Sequence, residues 1–474
     1  MISRRGFLGL LLVAGCGVEV SGERLTSALP PPPKFARPLV LPKTAQPTSP
    51  GRYVVTQRAA RTEIIPGTTT EIWGYDGTWP GPTFDLRRGD AAVVTIRNEL
   101  TVPTSTHLHG GVTPADSDGY PTDLVVGSVS PRHAHGGYTL HDRAKDYVYP
   151  LDQPAATLWY HDHRMDFTAP QVYKGLAGFF LIRDDEEEKL GLPAGDRELP
   201  LMICDRSFEA DGSFRYPSLD PTLLLRHGVR PEFMEGVEGD VVLVNGVPWP
   251  YQEVAAVRYR LRLLNASNAR RYRLALRPGG SFTQIGSDQG LLVRPLTRDT
   301  ITIAPGERYD VIVDFARYPV GSHVTLTDLL GVDVMRFTVT HKAPDDSRVP
   351  PRLTDPQPVD NPVARRTFDF RVDDGAWTIN GRPYVPGRSV AAPRLGTTEI
   401  WRFSSDFHHP VHVHLGRFKI LGREDQGWKD TVDVRPYETV EVAVRFDGHR
   451  GRYMLHCHNL EHEDMAMMAD FDVV

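Results

Sequence analysis

Apolar and polar residues alternate along much of this chain with the two-residue period of a strand. In "AVRYRLRLL", Val257, Tyr259, Leu261 and Leu263 take turns with Arg258, Arg260 and Arg262, which predicts a half-buried strand. Val440, Val442, Val444 and Phe446 repeat that period near the end of the chain. Three stretches share a longer pattern: "GYDGTWPGPTFDLRRGDAAVVTIRNEL" from Gly74, "LVNGVPWPYQEVAAVRYRLRLLNAS" from Leu243 and "TINGRPYVPGRSVAAPRLGTTEIWRFSS" from Thr378. Each sets an Asn-Gly or Asp-Gly turn beside an aromatic–proline neighbourhood and follows it with an alternating strand. Their spacing by a domain length argues for three copies of one β-sandwich. Helical periodicity is weak, and 42 Gly and 40 Pro punctuate the chain as short strands joined by turns require. The fold class is mainly β.

A length of 474 residues agrees with about three domains. They are expected at 51–185, 190–341 and 363–474, with the Pro- and Asp-rich stretch 342–362 as a linker and the acidic run Asp184 to Glu188 as a solvated connection. With 40% hydrophobic residues, 24% charged residues and a net charge of -6, the composition is that of a soluble globular protein. Lys and Arg are spread along the chain, so no basic arm or stripe for nucleic acid exists.

The beginning is different. "SRRGFLGLLLVAGC" joins Arg4 and Arg5 to an apolar stretch too short to span a bilayer, which predicts an export signal over 1–22. It resembles a twin-arginine signal, and Val13 to Cys16 resembles a bacterial lipobox, in which Cys16 would carry lipid. An exported protein, periplasmic or at the cell surface, is therefore expected, with two readings of its start: a membrane anchor through Cys16, or a plain cleaved signal in which that cysteine is incidental. Residues 23–50, rich in Pro, are expected to be a flexible tether. Cys204 and Cys457 are the only other cysteines, so no disulfide framework is expected, and Cys204 in "LPLMICD" reads as a buried small hydrophobe.

Histidine carries the chemistry. Ten of the 18 histidines fall in four short clusters: His107 and His109 in "STHLHGG", His161 and His163 in "LWYHDH", His409, His412 and His414 in "HHPVHVHL", and His456, His458 and His462 in "YMLHCHNLEHEDMAMM". On a strand, His-x-His puts both imidazoles on one face, where they can converge on metal. Two such pairs lie in the first domain and two in the third, so eight imidazoles could meet at an interface. His133, His135, His141 and His408 are expected to be structural or solvent-exposed; His409 rather than its neighbour begins the His-Pro-x-His-x-His spacing. Setting the paired histidines aside leaves His409, Cys457 and His462, with Met467 close behind and Met465 and Met468 competing with it. Two imidazoles, a thiolate and a weak thioether are the ligands of a blue copper centre. Structural zinc would want more cysteines and leaves the other histidines unexplained. Cys457 alternates with His456 and His458, so one peptide could serve two metal sites, one on each face.

These residues resemble the multicopper oxidases over essentially the whole mature chain, most closely the three-domain bacterial spore-coat laccases and bilirubin oxidases. Supporting stretches are "HLHGGVTPADSDGYP", "VLVNGVPWPY", "NASNARRYRLAL", "QIGSDQGLL", "APGERYDVIVDF", "GTTEIW" and "HCHNLEHEDMAMM". The resemblance implies three cupredoxin-like, Greek-key domains holding four coppers. A type 1 copper would lie in the third domain. His107 and His412 would hold a type 2 copper, and His109, His161, His163, His414, His456 and His458 a type 3 pair. It implies one-electron oxidation of a phenolic or related organic donor at Cys457, with electrons passing through His456 and His458 to the cluster that reduces O2 to water. Asp118 in "DSDGYP" and Glu463 would relay protons. A monomer is expected. Two other readings are a non-catalytic copper-binding scaffold and a cuprous-ion oxidase for copper resistance. The latter should carry a methionine-rich insertion, and residues 336 to 453 contain no methionine.

Overall fold

The computed structural model describes residues 23–129, 137–423 and 426–474. The expected export signal with Cys16, and His133 and His135, lie outside the described residues. Strands dominate, and among the described residues no helix is long and apolar enough to cross a membrane.

Three sandwiches follow one another along the chain, each a pair of facing sheets. In the first, strands Arg52–Thr62, Thr70–Tyr75, Ala92–Asn98 and Ala144–Tyr149 form one sheet, and Gly81–Arg87, Thr106–His109, Ala156–Asp162 and Ala177–Arg183 the other. The repeat predicted from sequence has a topological counterpart. In every domain the opening strand of one sheet pairs in parallel with a later one: Arg52–Thr62 with Ala92–Asn98, Glu198–Phe208 with Arg258–Asn265, and Ala364–Asp373 with Thr398–Ser405. The other sheet holds a second parallel pair: Gly81–Arg87 with Ala177–Arg183, Tyr251–Ala255 with Val332–His341, and Ser389–Ala391 with Met468–Val473. Apolar side chains of facing sheets fill each interior, as with Phe368, Trp401, Val442 and Phe471 in domain 3.

Three expectations need correction. Residues 23–50 are not a free tether. Glu23–Leu25 pairs in parallel with Val237–Gly239 of domain 2, Phe35 and Leu39 donate backbone N–H bonds to Trp249 and Tyr251, and Ala45 donates to Thr83 of domain 1. The extended Pro-rich backbone finds partners on sheet edges, and Leu25 and Leu39 are buried under it. The acidic run is not a solvated connection either. Asp185–Lys189 is a short helix, Asp184 accepts from Glu187 N at 2.8 Å as its N-cap, and Glu187 is buried against Arg260 and Arg262. Strand Arg258–Asn265 is consequently buried on both faces. Arg183, Arg260 and Arg262 meet Glu187, Glu198 and Asp310 in a network between domains 1 and 2, and Arg183 extends it to Asp85, so buried charges of both signs lie paired there. Cys204 packs in the large apolar core as expected, and burial pushes its thiol up to about 11.

Candidate metal centre

Strand register places the imidazoles. In domain 1, His161 lies opposite His107 on neighbouring antiparallel strands; in domain 3, His456 lies opposite His412. His163, His414 and His458 each follow the last residue of their strand directly, held by backbone bonds to Ser105, Met454 and Pro410. The two sheets face each other, and the eight rings meet between the domains, all but wholly buried.

The rings converge closely. His107 Nε2 is 3.4 Å from His412 Nε2, and the His107 and His109 rings stack on His414 and His412 at centroid distances of 3.9 and 3.7 Å. His456 Nε2 lies 3.1 Å from His414 Nε2 and 3.4 Å from His163 Nε2. Candidate ligand atoms of His163, His414 and His456 lie within 4.8 Å of one another, as do those of His107, His109 and His161. His458 joins the latter side, its ring 4.9 Å from His109 and 5.4 Å from His161.

Hydrogen bonds fix which nitrogen is free. A carbonyl oxygen can only accept, so Nδ1 carries the proton in His107, bonded to Asp118 O at 2.5 Å, in His161, bonded to Asp162 O at 2.8 Å, and in His412, bonded to Asp430 O at 2.9 Å. Their Nε2 lone pairs then point into the cluster. Burial lowers the affinity of these rings for a second proton, and neighbouring histidines lower it further; His458 falls to about 3. Neutral imidazoles with bare lone pairs, several of them unpartnered, form a donor set suited to metal and poorly suited to an empty interior.

The second site is built inside domain 3. Cys457 lies opposite Val411 and joins the apolar core with Tyr453 and Leu455, while His456 faces the cluster. His409 Nδ1 is 3.3 Å from Cys457 Sγ and 3.1 Å from His462 Nδ1. His462 comes from the short helix Leu460–Asp464, capped by Asn459 and covered by Trp377, whose ring stacks on it at 3.7 Å. Burial pushes the Cys457 thiol well above its ordinary range, so a thiolate here requires a cation beside it. His408, next door, makes no contact with the thiol; burial and then Arg271 take it down to about 4. Met467 is buried in the same core, tied by its backbone to His462 and Cys457. Met468 packs instead with Met165, Met454 and Tyr384.

Both expected carboxylates reach the cluster. Asp118 Oδ2 accepts from His414 Nδ1 at 2.7 Å, and burial raises its carboxyl to about 7. Glu463 Oε2 is 3.2 Å from His456 Nδ1 and Oε1 is 3.6 Å from His163 Nε2. Burial acts to raise Glu463, but the facing histidines His456 and His163 outweigh it and hold the group low. Sequence reasoning missed Asp430, whose Oδ1 lies 3.1 Å from His109 Nε2, and Thr431 beside it at the same distance. In "GWKDTVDV" no histidine, spacing or turn marks that aspartate.

Multicopper oxidase family models match residues 57–187, 226–340 and 348–474. A laccase of Bacillus subtilis (strain 168) is 34% identical across 93% of this chain and 98% of its own length. A bilirubin oxidase of Albifimbria verrucaria is 34% identical across 95% of this chain and 83% of its own. The crystal structure of a laccase from Pediococcus acidilactici superposes with a TM-score of 0.83 at 31% identity, covering 95% of each chain. With three such sandwiches and histidines gathered between the first and third, the chain belongs to the multicopper oxidase family. Within it, this is a laccase-like, copper-dependent oxidase with oxygen as its acceptor.

Proposed function

We propose that the protein takes single electrons from phenolic or related organic donors at the Cys457 site and uses them, four at a time, to reduce O2 to water at the histidine cluster. The observation that supports this best is the strand Gly451–Cys457, which sends Cys457 into the domain 3 site while His456 and His458, bonded to it through the backbone, enter the cluster. His409, Cys457, His462 and, more weakly, Met467 would hold one copper. His107 and His412 would hold a second, and His163, His414 and His456 with His109, His161 and His458 a pair. Copper bound there supplies one-electron oxidation at the first place and four-electron reduction of oxygen at the second.

The chain's own residues do the remaining work. Trp377 covers one face of His462, leaving donors to approach from elsewhere. Reducing O2 to two waters consumes four protons, and the cluster is buried. Asp118 and Glu463, each touching cluster histidines, are placed to hold and hand on those protons. Copper-loaded protein is expected to be blue, to bind about four coppers per chain and to consume oxygen when given a phenol. Colourless, zinc-filled, inactive protein after careful copper loading would overturn the reading.

The location proposed is outside the cytoplasm, on a membrane, through a lipidated Cys16. The twin arginine and the apolar run ending at that cysteine support it. Cys16→Ser should release the protein from the membrane fraction. A mature N-terminus found well past Cys16 by mass spectrometry would rule out the anchor.

A further inference from the structure

Domain 2 supplies none of the clustered imidazoles, yet it walls them in. Gly306, between strands Ile301–Ile303 and Arg308–Asp314, has φ +84°, and a Cβ there would lie 3.1 Å from both His109 and His458. Two residues on, Arg308 is completely buried, and every N–H of its guanidinium is used. Nε donates to Thr157 O of domain 1 at 2.9 Å. Nη1 donates to Gly306 O at 3.0 Å and Asp430 Oδ1 at 2.7 Å, and Nη2 to Asp288 O at 3.0 Å and Asp430 Oδ2 at 2.5 Å. The three domains therefore meet at one forked ion pair.

Asp430 carries that geometry into the cluster. Oδ2 also accepts from Gln289 Nε2 at 2.6 Å, and Oδ1 from Thr431 Oγ1 at 2.9 Å, while the backbone oxygen accepts from His412. The remaining contact is with His109 Nε2. An ionised carboxylate only accepts, so in His109 the proton sits on Nε2 and the free lone pair is Nδ1, which has no protein partner. That is the reverse of His107, His161 and His412. The ligand atom of His109 thus lies one bond nearer its backbone than theirs, a difference no strand pattern can impose.

We infer that Asp430, held by Arg308 of domain 2, is a positioning residue that locks His109 into its Nδ1-presenting form and so makes the cluster's grip on copper depend on domain 2. The inference rests on the cluster being a copper site, as proposed above. Asp430→Asn exchanges one acceptor oxygen for an N–H; whichever way the amide turns, a donor meets Arg308, and in one of the two orientations it meets His109 as well.

The test is chelator competition on copper-loaded protein, following cluster copper, its electron paramagnetic resonance and the blue absorbance of the Cys457 site. Asp430→Asn should bind cluster copper about 10- to 100-fold more weakly with an altered resonance, while blue absorbance per chain is kept. Arg308→Lys, which keeps the charge and loses the fork, should shift the same quantities less. Glu198→Gln, in the ion network between domains 1 and 2, serves as the structural comparison, lowering Tm and leaving both copper signals unchanged. Wild-type affinity and resonance in Asp430→Asn would overturn the inference. So would loss of both copper signals in step with Tm. If Asp430→Asn does not fold, Arg308→Lys decides by the same readouts. Wild-type protein without cluster copper would instead sink the copper reading itself.

Discussion

Domains 2 and 3 arrange the corresponding sheet in the same order and use it for opposite ends. In domain 3, strand His409–Val413 beside Gly451–Cys457 sets His412 against His456; in domain 2, Tyr272–Arg277 beside His323–Asp328 sets Leu276 against Leu326. Those leucines belong to the apolar core, whereas the imidazoles face a second domain that brings more imidazoles. The sandwich is indifferent to which occurs. A buried His–His pair is tolerable only where something else completes its bonding, and domain 1 facing domain 3 provides that.

The sharpest way to probe this contrast is Cys457→Ser. Turnover and blue colour should fall to background while cluster copper stays measurable, because the two sites share a strand but not a ligand. Next come Glu463→Gln and Asp118→Asn. Each should slow oxygen reduction by about 100-fold or more. Reduced anaerobically by donor, both should bleach at close to the wild-type rate and regain colour slowly when oxygen is admitted. Fast recovery would remove them from the proton path; slow bleaching of Glu463→Gln would trace its effect to His462 instead. Glu198→Gln takes one carboxylate from Arg183 and Arg262, which keep Asp85 and Glu187, and should lower stability by about 2–3 kcal/mol through the lost charged hydrogen bonds, read from chemical denaturation, with activity per copper unchanged. Smallest is Leu326→His in domain 2, which should cost about 1–3 kcal/mol for an unpaired buried polar group and bind no further copper. Extra copper in that variant would break the comparison.

The clustering histidines and the three-fold repeat were legible in the sequence because both have short periods: alternation reveals the face, and His-x-His repeats it. Residues whose role depends on a distant partner were not. Arg260 and Arg262 read as the solvent side of a strand because nothing local shows that Glu187 and Glu198 will cover them. Pro-rich 23–50 read as a tether because sheet edges of other domains are invisible from within it. Asp430 and Arg308 are 122 residues apart, and neither lies in a spacing that names a metal.

One register now carries two obligations. On strand Gly451–Cys457, Tyr453, Leu455 and Cys457 point into the domain 3 core while Met454 and His456 point the other way. Sliding the strand by a single position would drive imidazoles into that core and turn the thiol toward the other histidines, so fold and metal sites would fail together. A slip of two positions restores the faces but carries every ligand about 7 Å along the strand. Insertions and deletions here are thus barred at either length, and during descent this strand can change by substitution but not by length, while loops at the sandwich ends remain free to grow and shrink.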